Sequence, residues 1–119
     1  MGRKIKRKHF KNGFNQQTFS IFGSNANGIR GKVDSLKNAL AYFKNPSCIN
    51  LQETKLRFKG TIQLEGYQIF ENIRKGFGGG LLTAIDKNLK PVLISAGNDD
   101  VEMIVVQVAI GDKQIRILG

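Results

Sequence analysis

One segment of this chain, Val33 to Phe43, repeats its apolar residues at helical spacing, and nearly everything after it alternates. Val33, Leu36, Leu40 and Phe43 fall on one helical stripe, with Ala39 beside them. Asp34 and Ser35 stand near its start, where a carboxylate complements the exposed amides and the helix dipole. Lys44-Asn45-Pro46 ends it, because the proline ring disfavours helical geometry at Asn45. Beyond it, Ser47 to Glu53 alternates, with Cys48, Asn50 and Gln52 on one face and Ile49, Leu51 and Glu53 on the other. Tyr67–Phe70, Leu81–Ile85, Val92–Ala96, Val101–Ile110 and Gln114–Leu118 read as further strands, and Thr18–Ser24 as one before the helix. One early helix and about seven strands predict a β-rich α/β sheet. A single helix covers only one face of such a sheet, and no remaining segment is free to cover the other. The chain therefore reads as an incomplete part of a larger domain.

Composition and charge narrow the function classes. At 119 residues there is room for one domain, and a 40% apolar share supplies one modest core. No apolar run approaches the ~18–20 residues of a membrane span. The basic start runs into polar Asn15-Gln16-Gln17, not into the apolar stretch of a signal peptide. Cys48 is the one cysteine, which excludes an internal disulfide framework and a Cys-x-x-Cys zinc site. It reads as a small buried residue of its strand. A nuclear or cytoplasmic chain without a membrane partner is expected. The net charge of +10 is uneven: Arg3, Lys4, Lys6, Arg7, Lys8 and Lys11 put six positive charges into the first eleven residues, and the remainder carries 13 basic against 9 acidic residues. Residues 1–17 read as a basic flexible arm and residues 18–119 as the folded part. Such an arm suits a polyanion, above all nucleic acid. A solvated tail with no specific partner has the same composition.

Several catalytic arrangements are missing. His9, the one histidine, lies in the arm, distant in sequence from any carboxylate, so no Ser/His/Asp or Cys/His set assembles. The run Gly78-Gly79-Gly80 does not continue into Gly-Lys-Ser/Thr, and no GxGxxG pattern occurs. It reads as a tight strand entry. Most phenylalanines read as core; Phe58, between Arg57 and Lys59, is the exception and is placed to pack on a nucleic-acid sugar or base.

Two polar clusters remain, Ser24-Asn25-Ala26-Asn27-Gly28-Ile29-Arg30 and Asn50-Leu51-Gln52-Glu53-Thr54-Lys55. They close the two strands that flank the helix. If those strands are parallel, both clusters lie at carboxyl ends, where open α/β sheets place ligands, and Asn25 and Glu53 become neighbours. One carboxylate with amide partners suits Mg²⁺, which keeps several waters. Lys55, Arg57 and Lys59 add positive charge fitted to a phosphodiester. A plainer account covers the same residues: Asn27-Gly28 is a turn, Glu53 a surface acid and Lys55 its salt-bridge partner.

Asn25-Ala26-Asn27-Gly28-Ile29-Arg30-Gly31 followed by Ile49-Asn50-Leu51-Gln52-Glu53-Thr54-Lys55 resembles the endonuclease/exonuclease/phosphatase superfamily, with its DNase I-like fold. Within it the likeness is to abasic-site endonucleases and to the endonuclease domains of LINE-type retrotransposons. Gly66-Tyr67-Gln68-Ile69-Phe70 and Gly78-Gly79-Gly80-Leu81-Leu82 continue it in order, so the resemblance runs from about Phe19 to Gly119. It implies the N-terminal half of an α/β two-sheet sandwich flanked by helices, cutting phosphodiester or phosphomonoester bonds with Mg²⁺ or Mn²⁺. It implies Glu53 as the metal-binding carboxylate and Asn25 as the catalytic asparagine that positions metal and phosphate. Asn27 stands where abasic-site relatives often carry an acid. Lys55 fits a basic position after the glutamate and, with Asn27, Arg30, Arg57 and Lys59, makes up the nucleic-acid-binding set. Glu102, expected to open its strand, resembles a recurrent acid of the family; a solvated strand-end charge describes it equally. The family's water-activating Asp, a nearby Asn and a closing Asp-His pair belong to its second half, as does a Tyr beyond the last strand. A DNA endonuclease fragment, inactive alone, is therefore expected. The alternative is a non-catalytic basic nucleic-acid-binding fragment. A third reading keeps the superfamily and changes the substrate to an inositol-phosphate or sphingomyelin phosphodiester.

Overall fold

The computed structural model describes residues 4–12, 15–74, 78–98 and 101–119. Its central sheet contains β1 (Lys4–Asn12), β2 (Asn15–Asn25), β3 (Cys48–Gln52), β4 (Tyr67–Asn72) and β5 (Leu81–Asp86), in the order β1-β2-β3-β5-β4. A second sheet, β6 (Val92–Ser95), β7 (Val105–Ile110) and β8 (Lys113–Leu118), is antiparallel throughout. Helix α1 (Val33–Tyr42) connects β2 to β3, which run parallel from Ile21↔Cys48 to Asn25↔Gln52. The condition that the two flanking strands be parallel is thus met, and the pairing sets the two polar clusters side by side.

Strand β3 explains the layering. Ile49 and Leu51 join Phe22, Leu36, Leu40, Leu82 and Ala84 in a buried cluster on the helix side. Cys48 joins Phe19, Ile85, Ile104, Val106 and Val108 in a second cluster, between the sheets. Successive strand residues face opposite ways, so a strand apolar at both parities must be covered on both sides. The helix covers one face and β6–β8 the other. This corrects the single sheet with an uncovered face that the strand pattern led one to expect, and agrees with the two sheets that the resemblance implied: among the described residues the late strands pair only with one another and pack over the early ones.

The flexible arm expected over residues 1–17 is also corrected from Lys4 onward. Lys4–Asn12 forms β1, paired antiparallel with β2 from Lys4↔Gly23 to Asn12↔Asn15. That register closes with Asn12 opposite Asn15. Backbone pairing prevails over charge density here. Lys4, Lys6, Arg7, Lys8 and Lys11 belong to the outermost strand of this sheet. Arg3 of the basic cluster, and Gly76 and Phe77 ahead of the glycine run, lie outside the described residues.

Helix α1 stops one residue earlier than its apolar stripe. Lys44 and Asn45 both take left-handed backbone, φ 59° and 53°. The Asn45 amide donates to Leu40 O at 2.8 Å and the Lys44 amide to Ala41 O at 3.1 Å, a Schellman closure made without glycine. The strand expected from Val101 begins only at Val105. Asn72 Nδ2 donates to Ala96 O (2.7 Å) and Met103 O (3.3 Å), so a side chain takes the place of ladder partners, and Glu102 lies in the connection before β7. Among the described residues no helix is long and apolar enough to cross a membrane.

Candidate functional site

The ladder between β2 and β3 does not end with the strands. The Ala26 amide donates to Gln52 O (2.8 Å), Gly28 to Glu53 O (2.8 Å) and Ile29 to Thr54 O (3.0 Å). On the opposite flank the Thr54 amide donates to Gly80 O (3.2 Å) and Lys55 to Gly79 O (2.9 Å). Glu53-Thr54-Lys55 is therefore stitched by main chain on both sides. Within this frame Glu53 and Lys55 hold left-handed backbone, φ 51° and 55°, as does Asn27 across from them, φ 45°. Such a conformation costs an L-residue about 1–2 kcal/mol. Thr54 is buried between them, and Glu53 and Lys55 both present exposed side chains. Strain held in place by its surroundings gathers at functional sites.

Side chains tie the two loops further. Asn25 Oδ1 accepts from the Asn27 amide at 3.0 Å, an Asx turn. Lys55 Nζ donates to Asn27 Oδ1 at 2.7 Å. The lysine's partner is thus Asn27, where the plainer account had Glu53. Arg30 lies in the turn before α1, and Arg57 and Lys59 on the loop leaving Lys55, all three exposed. The structure joins Asn25, Asn27 and Lys55 by direct bonds and Glu53 through its backbone; Arg30, Arg57 and Lys59 stand on adjoining turns.

Lys32 is a member that sequence reasoning missed. Its Nζ donates to Ala26 O (2.9 Å) and Asn27 O (3.1 Å), clamping the first loop from behind. A signal existed: a cation at the N-cap opposes the helix dipole, so a lysine there wants a local acceptor. Replacing it (Lys32→Met) is expected to cost about 1 kcal/mol, the net worth of charge-assisted bonds less the dipole repulsion relieved. Thermal denaturation should show a midpoint lower by about 4 °C.

Glu102 does not open a strand, and it is more than a solvated charge. Its Oε1 accepts from the Gly80 amide at 2.9 Å, and Oε2 lies 4.0 Å from Arg74 Nη1. Through that one glycine it supports the segment carrying Glu53.

The donor chemistry at the paired loops is all oxygen: the Glu53 carboxylate and the Asn25 amide oxygen, which keeps a lone pair beyond the Asn27 bond. Hard oxygen donors fit Mg²⁺ or Mn²⁺. Among the described residues no three His, Cys, Asp or Glu side chains gather. A cation at Glu53 would accordingly take most of its shell from water or phosphate oxygens. No protein-family model matches the chain, and no curated protein matches it.

Proposed function

We propose that this chain carries metal- and phosphate-binding residues of a metal-dependent phosphodiester hydrolase acting on DNA, of the DNase I-like kind that its Asn25–Gly31 and Ile49–Lys55 motifs resemble. One observation carries the reading. Glu53 is held in strained backbone between two hydrogen-bonded flanks, beside Asn25 and two clamped lysines, at the carboxyl ends of parallel strands. Glu53 and Asn25 would hold Mg²⁺ or Mn²⁺, which when bound polarises a phosphoryl oxygen. Lys55, fixed by Asn27, offers positive charge beside the same position, and Arg30, Arg57 and Lys59 extend that charge along a strand. Every one of these residues except Lys32 is exposed, which suits a long polymer better than an enclosed inositol phosphate. In-line attack also needs a general base, so the chain alone is expected to bind and not to cut.

The second reading, a non-catalytic nucleic-acid-binding fragment, is favoured by Glu53 being the one carboxylate of the two paired loops, with no group of three possible metal-ligating residues among the described residues, and by the basic edge strand. Oligonucleotide binding at constant ionic strength, with and without Mn²⁺, separates the two. The hydrolase reading expects Mn²⁺ to strengthen binding roughly tenfold, the scale of one charge-assisted contact. Glu53→Gln should remove that gain and leave metal-free binding intact. No gain from metal, or a gain that survives Glu53→Gln, overturns the hydrolase reading in favour of the binding fragment. Plasmid nicking by this chain with Mg²⁺, lost in Glu53→Ala, would overturn the expectation of inactivity.

A further inference from the structure

The loop that leaves Lys55 is built from buried feet and a bare tip. Leu56 (5% exposed), Ile62 (3%) and Leu64 (7%) are sunk in the helix-side core. Between them Phe58 stands 75% exposed, with Arg57 and Lys59, both exposed, on either side. The tip is not loose. Thr61 Oγ1 donates to Phe58 O at 2.7 Å, Gln63 Nε2 to Gly60 O at 3.2 Å, and the Gly60 amide to Glu71 Oε2 at 2.9 Å. Gly60 adopts φ +80°, the turn conformation that lets the chain reverse there. Three apolar anchors and three hydrogen bonds thus fix a turn whose one large apolar side chain is left in water.

We infer that Phe58 is a stacking platform for an unpaired nucleobase, with Arg57 and Lys59 seated on the phosphates to either side. The inference rests on the nucleic-acid reading above and names the form of the substrate: a strand with an accessible base face. An aromatic ring between two cations matches the alternation of base and phosphate along such a strand. Every base has a π-face, so the contact is tolerant of sequence. Five residues of chain reach at most about 18 Å, which keeps Phe58 within roughly five nucleotides of a phosphate at Glu53. A base stacked inside a duplex offers no free face, so the platform selects single-stranded, frayed or melted segments.

The chain has no tryptophan, so Phe58→Trp places a single reporter at the tip. Titration with oligothymidylate is expected to quench its emission as the base stacks, and a matched duplex should quench it far less. In anisotropy titrations Phe58→Ala should lose about tenfold in affinity for oligothymidylate at an unchanged salt slope, the scale of one base–aromatic stack. Phe58→Tyr should keep the affinity and Phe58→Leu should not. Arg57→Ala and Lys59→Ala should each flatten the salt slope by about 0.7. Unquenched Trp emission at saturation, or Phe58→Ala or Phe58→Leu binding like the parent, overturns the platform while leaving the nucleic-acid reading in place. Absence of oligonucleotide binding by the parent overturns both. A blue shift on anionic lipid vesicles without response to oligonucleotide assigns the tip to a membrane surface instead, and also overturns the inference.

Discussion

Gly80→Ala is expected to destabilise the protein by about 3 kcal/mol and to release the Glu53 loop. Gly80 sits at φ +93°, and a Cβ there would come within 2.6 Å of Thr54 Oγ1. Thr54 is 2% exposed and has nowhere to retreat. Left-handed strain contributes about 1–2 kcal/mol, and crowding a packed position a further 1–3. Rotating the peptide away would break the bonds from Gly80 to Glu102 and from Thr54 to Gly80. Urea denaturation should show a lower midpoint at an unchanged slope. Gly31→Ala is the control: φ is +80°, but no atom lies within 4 Å of its Cβ position, so only the strain of about 1 kcal/mol is expected. Equal losses for the two would refute the close-approach argument. Gly80→Ala should also erase the Mn²⁺ gain in oligonucleotide binding, because Glu53 would lose its flank.

The second large effect concerns Cys48. Its side chain is wholly buried between the sheets, and burial pushes the thiol from 9.0 up to about 12. At neutral pH the reactive thiolate is then about 1000-fold scarcer than in the unfolded chain. Alkylation of the native protein should be slower by at least that factor and should track unfolding. Prompt labelling of folded protein would contradict this burial and reopen a nucleophilic role. The same shift fixes a sign for pH dependence. The native state favours the neutral thiol, so its contribution is complete below pH 9 and is lost as pH climbs from 9 toward 12. The loss amounts to about 4 kcal/mol at the upper end. Tyr67, whose hydroxyl donates to Pro46 O at 2.6 Å, adds to the decline above pH 10. Its phenol is pushed up to about 12 by burial first, then by Asp86. Urea midpoints measured from pH 8 to 11 should fall, and Cys48→Ala should remove the part that starts near pH 9.

Periodic, local features were legible in the sequence. Val33, Leu36 and Leu40 placed the helix to within a residue, and the alternation around Ile49 and Leu51 placed β3, because such patterns answer to a neighbouring core. The order strand, helix, strand was enough to expect β2 and β3 in one sheet bridged by the helix; that they run parallel, which puts Asn25 and Glu53 on adjoining loops, is a condition that the order alone does not decide and that the structure meets. Features set by distant partners were not legible. Lys4–Asn12 reads as an unstructured basic run because no property of those residues alone reveals that Asn15 to Gly23 will pair with them. The division into two sheets depends on β3 choosing β5, and β7 choosing β6 and β8. Glu102 continues the apparent strand pattern of Val101 and Met103, but the Gly80 amide and Asn72 draw that segment off the ladder. Lys32 carries no periodic signal at all; its role follows from two carbonyls that fold back within its reach.

The strand order has a consequence for the nascent chain. β5 lies between β3 and β4 although it is synthesised after both. The β1–β2 hairpin can close within microseconds of emerging. The loop of Glu53, Thr54 and Lys55 must wait for Gly79 and Gly80, which leave the ribosome roughly 1–5 s later. During that interval β3 has an open edge, and the hairpin and helix are already available to fold. The segment that would meet the phosphate is therefore organised only after the hairpin and the helix. A polypeptide still being translated carries its charged strand before it has assembled its candidate metal carboxylate.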